Sequence, residues 1–283
     1  KILIDCGEGT QVSMKIAGTG FKDIDLICIT HCHGDHIVGL PGLLATIGNS
    51  GRIQPLTIIG PSGITEVVNG LRVIAKYLPY EINIIENPKE VKFDINKEKL
   101  ELSKENCQLI LSCLEVEHSS PCLGYSFYFK RDRKFSLEKA EENNVPKALW
   151  NKLRKGNNEI IIYDGKTYKK EMVLGEERRG IKLSLITDTR PLKDIITFIK
   201  DSDLFICEGT YGDDADIEKA IKNKHMTFRE AALLAKEGKC KEMLLTHFSP
   251  SMIEPKEYEE NAKSIFENTI IGEDRMKKEL AFK

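Results

Sequence analysis

Several short apolar runs in this chain stop on a histidine or an aspartate, and this recurrence narrows the possible folds most. Leu26 to Thr30 is followed by His31, Leu109 to Glu117 by His118, Leu183 to Thr187 by Asp188, and Met243 to Thr246 by His247. Apolar runs of this length between turn signals suit strands buried in a sheet. Lys1 to Asp5, Leu56 to Ile59, Leu123 to Phe129 and Leu204 to Cys207 read the same way. Between them lie helical patterns. Ile64, Val67, Val68, Leu71 and Ile74 form one apolar helix face. Thr227 to Glu230 has capping-box spacing ahead of a helix that Gly238 stops. A third helix starts near Pro255 and buries Tyr258, Ala262, Ile265 and Phe266. Strands and helices alternate without a linker, which predicts an α/β (α+β) domain over residues 1–283. With 283 residues and 41% hydrophobic content, the chain can bury a core, which excludes disorder.

The same scan limits the setting. No apolar run approaches the roughly 18 residues of a membrane span, and no charged-then-apolar leader opens the chain, so a cytoplasmic protein is expected. Lys1 already begins a strand, so N-terminal strands are expected upstream of this sequence. The eight cysteines include no Cys-x-x-Cys pair. They read as reduced, mostly buried thiols, with no structural zinc ribbon among them.

Residues 130–182 differ from the rest. This stretch carries 15 Lys and Arg against 9 Asp and Glu, a local charge of +6 that the overall −2 conceals. So few apolar residues contribute little core to the domain, and the segment is predicted to project as a basic arm, with Trp150 in a small core of its own.

Three of the six histidines fall in Thr30-His31-Cys32-His33-Gly34-Asp35-His36, directly after a buried strand. Neutral imidazole and carboxylate are ligands that Zn²⁺ and similar divalent cations accept, and a loop at a strand end can aim several of them at one point. His118, Asp188 and His247 stand at other strand ends and fit the same sheet rim. Seven candidate ligands exceed the needs of one ion and suit two ions sharing a carboxylate. Gly7 and Gly9 read as a tight turn beside this site or as an ordinary strand-to-helix turn. Gly39, Pro41 and Gly42 read as shaping a helix start.

These residues, with Glu117-His118-Ser119-Ser120, Thr187-Asp188-Thr189-Arg190 and Thr246-His247-Phe248-Ser249, resemble the metallo-β-lactamase superfamily. Asp5-Cys6-Gly7-Glu8-Gly9-Thr10-Gln11, Glu208-Gly209-Thr210-Tyr211 and His225-Met226-Thr227 make the chain similar to the ribonuclease Z branch along nearly its whole length. The resemblance implies a four-layer αβ/βα sandwich of two facing mixed sheets, with metals at one edge. It implies two Zn²⁺ per chain, with Mn²⁺ as the alternative: one ion held by His31, His33 and His118, the other by Asp35, His36 and His247, with Asp188 bridging. The implied reaction is metal-hydroxide attack on a phosphodiester that removes the 3′ trailer of tRNA precursors and leaves a 3′-hydroxyl. His225, oriented by Glu208, would protonate the leaving oxygen, and Asp35 would orient or deprotonate the attacking water. The resemblance also implies a homodimer in which the 130–182 arm clamps tRNA. Two other readings are a dinuclear phosphodiesterase or small-ester hydrolase not specific for tRNA, and a non-catalytic nucleic-acid or partner-binding module. Glu208, His225 and the arm argue against the former, the complete ligand set against the latter.

Overall fold

The computed structural model describes residues 1–97, 99–103, 107–155 and 160–282. Residues 156–159 of the predicted arm lie outside the described residues. In chain order the first half runs β1 (Ile2–Ile4), α1 (Thr10–Ala17), β2 (Leu26–Cys28), α2 (Gly34–Ile37), α3 (Leu40–Asn49), β3 (Leu56–Gly60), α4 (Ile64–Leu71), β4 (Ile82–Glu86), β5 (Glu90–Asn96), β6 (Lys99–Leu102), β7 (Leu109–Val116) and β8 (Cys122–Arg131). There follow α5 (Leu137–Glu142), α6 (Lys147–Lys155), β9 (Ile160–Tyr163), β10 (Lys166–Lys169), β11 (Arg178–Ile186), α7 (Lys193–Ile199), β12 (Leu204–Glu208), α8 (Ile217–Asn223), α9 (Phe228–Glu237), β13 (Met243–Thr246), α10 (Glu259–Lys263) and β14 (Thr269–Ile271).

The chain divides into two units, Lys1–Phe129 with Ile181–Ala281, and Lys130–Gly180 with Phe282. In the first, β1 to β4 form a sheet whose adjacent pairs are all parallel. The second sheet has the order β14-β13-β12-β11-β8-β7-β5-β6, with β11 to β14 parallel and β5 to β8 antiparallel. The expected pair of mixed sheets is corrected to one parallel and one mixed. In the parallel sheet every connection runs through a helix or helical turn, as parallel pairing requires.

Alternation along the strands produces the layers. Ile27 and Ile58 face a cluster with Leu40, Leu43, Leu44, Ile64 and Val68 on the outer helices. Leu26, Cys28 and Ile59 point the other way, against Phe93, Leu109, Leu111, Leu123, Tyr125 and Phe127 of the second sheet. Beyond that sheet, Phe205, Cys207, Met243 and Leu245 meet Ile195, Phe228, Ala231, Ala235 and Ala262. The unit is thus helix, sheet, sheet, helix, the four-layer sandwich. The helix predicted to reach Ile74 ends at Leu71 and tightens into a 3₁₀ turn, leaving Ile74 82% exposed, because the tighter turn moves it off the apolar face. The Thr227–Glu230 capping box is present. All eight cysteines are free, with only Cys32 and Cys113 short of full burial.

The second unit closes a small core of Ala140, Val145, Leu149, Leu153, Tyr168 and Val173. Trp150 packs against it and donates its indole N–H to the Val145 carbonyl at 2.8 Å. A hairpin of β9 and β10 turns at Asp164 and Gly165, both at positive φ. That Asp-Gly pair is a strong local hairpin signal that the polar composition masked.

Candidate metal centre and active site

Parallel strands place their carboxyl ends on one rim, so residues following them gather there. Asp5 after β1, Asp188 after β11 and His247 after β13 have φ of 57°, 51° and 57°. This left-handed conformation costs a non-glycine residue of order 1–3 kcal/mol, and it is kept where a side chain is needed at that turn.

The side chains converge. His33 Nδ1 lies 3.0 Å from His31 Nε2 and 3.2 Å from His118 Nε2. His36 Nε2 lies 3.2 Å from His247 Nε2 and 3.4 Å from Asp35 Oδ2. Between these sets, Asp188 turns Oδ1 toward His247 Nε2 at 3.2 Å and Oδ2 toward His31 Nε2 at 3.4 Å and His36 Nε2 at 3.5 Å. All seven sequence-predicted ligands are therefore brought together. Asp188 is buried, whereas Asp35 is 72% exposed.

The outward-facing nitrogens are tied to oxygen. His31 Nδ1 meets Thr30 Oγ1 at 3.1 Å, His36 Nδ1 meets Asp5 Oδ2 at 2.7 Å, and His118 Nδ1 meets the Lys224 carbonyl at 3.4 Å. His247 Nδ1 meets Thr210 Oγ1 at 3.2 Å, and His33 Nε2 meets Ser119 Oγ at 3.3 Å. Each imidazole thus has one nitrogen fixed by an oxygen partner and the other aimed at the centre. Metal-ligating histidines are held in this way, and the donor set fits divalent cations. Burial pushes His31 down to about 3 and also lowers His118, leaving neutral rings with a free lone pair. At His36 burial also opposes the charged form, but the Asp5 carboxylate outweighs it and raises the basicity of the ring. In Asp188 burial favours the neutral acid, yet His247 and His36 hold its pKa below the ordinary value.

His225 stands beside this group, its ring centroid 5.2 Å from that of His118 and 5.6 Å from that of His247. Its Nδ1 is 3.2 Å from both oxygens of Glu208, which is fully buried. Glu208 is fixed in turn by Thr189 N–H at 2.7 Å, Thr210 Oγ1–H at 2.6 Å and Met226 N–H at 3.1 Å. Burial opposes a charged His225, but the hydrogen bond and charge of Glu208 prevail and raise its pKa. A cavity of about 370 Å³ is lined by His33, Asp35, His118, Asp188, His225 and His247, and also by Ser119, Lys222, Asn223 and Lys224.

Asp5 and Thr210 have roles that the sequence reading did not assign. Asp5 accepts from Thr30 N–H and Oγ1–H at 2.7 and 2.8 Å while holding His36. It follows a short apolar run, the signal that revealed Asp188. Gly39 does more than shape a helix start. A Cβ there would meet the Gly7 carbonyl oxygen at 2.1 Å, and one on Gly7 would meet the Asp35 carbonyl oxygen at 1.9 Å. The loop after β1 and the metal loop therefore cross in main-chain contact, tied by Cys6 N–H to the His36 carbonyl at 2.7 Å. Gly39 has φ −74°, so alanine is conformationally allowed and only the contact is at stake. Gly39→Ala is expected to cost about 1–3 kcal/mol and to lower metal content. Calorimetry and elemental analysis check this; an unchanged variant would show that the loops part freely.

Residues 1–174, more than half of the chain, belong to the family described as Anti-Pycsar protein Apyc1; the match takes in His31 to His36 and His118 and ends before Asp188, Glu208, His225 and His247. Ribonuclease Z of Clostridium beijerinckii is 65% identical over 284 residues, covering 100% of this chain and 89% of that protein. Ribonuclease Z of Clostridium tetani is 61% identical, covering 98% and 88%. Among solved structures, human tRNase Z, short form, aligns with a TM-score of 0.62 at 23% identity over 97% of this chain and 86% of that one. Zn²⁺-bound PqqB from Methylobacterium extorquens aligns at 0.59 and 13% over 99% and 83%, a likeness of fold alone. With its matches along the full chain, this protein belongs to the ribonuclease Z family, metallo-β-lactamase-fold hydrolases that act as tRNA 3′ processing endoribonucleases.

Proposed function

We propose that this chain cuts the 3′ trailer from tRNA precursors with two Zn²⁺ ions, one held by His31, His33 and His118 and the other by Asp35, His36 and His247, with Asp188 between them. The observation that carries this reading is the array of imidazole nitrogens, each backed by an oxygen, beside the His225–Glu208 pair. When bound, two such ions supply an ionised water at neutral pH and neutralise charge on the phosphate. Asp35, the exposed carboxylate of the cavity, orients that water. His225 holds a proton on Nε2 for the leaving ribose oxygen, while Glu208 keeps Nδ1 engaged and the ring turned toward the site.

Substrate choice falls to the basic unit, whose 14 Lys and Arg against 9 Asp and Glu leave a charge of +5 that suits a phosphate backbone. Its own core allows it to hold a shape, and its ends meet where Gly175 N–H donates to the Lys134 carbonyl at 2.7 Å. Replacing residues 135–174 by a short Gly-Ser linker is expected to raise KM for precursor tRNA by at least about tenfold, to flatten its salt dependence, and to spare bis(p-nitrophenyl) phosphate. Unchanged tRNA cutting would remove the arm from substrate binding.

The reading includes a homodimer in which each arm serves RNA held by the partner. Val12 and Ile16 of α1, and Val73, Ile74 and Tyr77 after α4, are 62–90% exposed on elements that pack on the same helical-layer core, and they offer the apolar surface a second copy needs. A cytoplasmic location follows from the substrate; among the described residues no helix is long and apolar enough to cross a membrane.

A further inference from the structure

We infer that Arg190 is a positioning residue for the proton donor, its guanidinium setting how far the His225 imidazole reaches into the site. His225 lies in the short link between α8 and α9. The chain leaves α8 through Lys224, at φ 58°, and α9 begins at Phe228. Upstream, His225 N–H donates to the Ala220 carbonyl at 2.9 Å. Downstream, in the next peptide unit, the His225 carbonyl accepts from Arg190 Nη1.

Arg190 is itself clamped. Its Nη1 donates to Glu230 Oε2 at 3.0 Å and its Nη2 to Glu230 Oε1, a two-pronged pair whose side chains are only 16% and 17% exposed. The same Glu230 accepts from Thr227 N–H at 3.0 Å and thereby closes the cap of α9. Fork geometry and partial burial make this pair stiffer than a surface ion pair. The guanidinium joins the donor's main chain to the first turn of α9 in a fixed arrangement.

The other end of Arg190 is anchored to the ligands. It stands two residues after Asp188, and its N–H donates to the Glu117 carbonyl, next to His118, at 3.3 Å. Between them, Thr189 N–H holds Glu208 and Thr189 Oγ1 accepts from Glu117 N–H at 3.0 Å. One three-residue stretch thus touches the bridging carboxylate, the carboxylate behind His225 and the carbonyl of His225. Proton delivery depends on placement to within about an ångström, so a change at Arg190 reaches the chemistry without touching a ligand.

The inference rests on His225 as the proton donor, and the test separates the two. Precursor tRNA needs a proton on its leaving ribose oxygen, whereas p-nitrophenolate is stable as an anion near neutral pH. Arg190→Met is expected to lower kcat for precursor tRNA by about 10–100-fold, the scale of an ångström misplacement of a reacting group. KM and metal content should hold within twofold, as should turnover of bis(p-nitrophenyl) phosphate. Arg190→Lys, which keeps one donor, should recover part of the loss. Glu230→Gln, which can still cap α9, should show the same selectivity to a smaller degree and serves if Arg190→Met does not fold. His225→Ala runs in parallel. If it shows no selectivity between the substrates, the donor reading fails. If it does and neither Arg190→Met nor Glu230→Gln does, or if those variants lose metal or both activities equally, the role of Arg190 is overturned.

Discussion

Asp188→Ala is expected to reduce bound metal from two ions per chain to one or none and to lower kcat/KM for precursor tRNA by about 10³–10⁴-fold. The factor follows from several kcal/mol of phosphate charge stabilisation, at about 1.4 kcal/mol per tenfold. Asp188 supplies the one buried carboxylate of the proposed ligand set, with Oδ1 facing His247 and Oδ2 facing His31 and His36. Without it, two groups of imidazoles face each other with no buried negative charge between them. His247→Ala is expected to differ, because His31, His33 and His118 remain intact as one set. It should keep about one ion while losing most activity. Elemental analysis beside single-turnover cleavage checks both, and an Asp188→Ala protein that still held two ions would refute the bridging assignment. Asp188→Gly adds a stability readout: it removes the left-handed strain, so in chelator it should melt no lower than the parent chain.

His225→Ala is expected to retain both ions and to cut precursor tRNA about 10²–10⁴-fold more slowly, the span usual for a lost general acid. The pH dependence has a definite sign. Glu208 raises the pKa of His225 above its ordinary 6.5, so the donor form is present below the raised value and is lost as pH rises through it. The alkaline limb of kcat should therefore move to lower pH in Glu208→Gln, where the anionic partner is gone. A limb that stayed in place would assign it to a different group. Thr210 complicates a deeper change at Glu208, because its hydroxyl donates to Glu208 while lying 3.2 Å from Nδ1 of both His225 and His247. Glu208→Ala would loosen His247 as well as His225, so the isosteric glutamine is the cleaner probe.

The candidate ligands were legible because imidazole is scarce in this chain and stands where apolar runs stop. The residues that hold those ligands were not. Thr30, Thr210, Ser119 and Asp5 are ordinary strand-end or loop residues by type, and what distinguishes them is contact across the fold. Asp5 meets His36 from 31 positions away, and Arg190 meets Glu230 from 40. Periodicity carries no information at that range. The peripheral strands β4 to β6 were also missed, since Lys, Glu and Asn break up their apolar alternation. Ile74 was misplaced for a local reason: a 3.6-residue period was extended through a turn that had already tightened.

The strand ends that build the site come from widely separated parts of the chain, and β13 contributes His247 near its end. A polypeptide still being synthesised holds His31, His33, His36, His118 and Asp188 well before His225 and His247 leave the ribosome. Until β13 pairs with β12, His247 has no fixed place beside His36, so under the proposed two-ion reading a partial chain is expected to lack nuclease activity. Under that reading, activity is expected to appear only once strands of both sheets have assembled around the site.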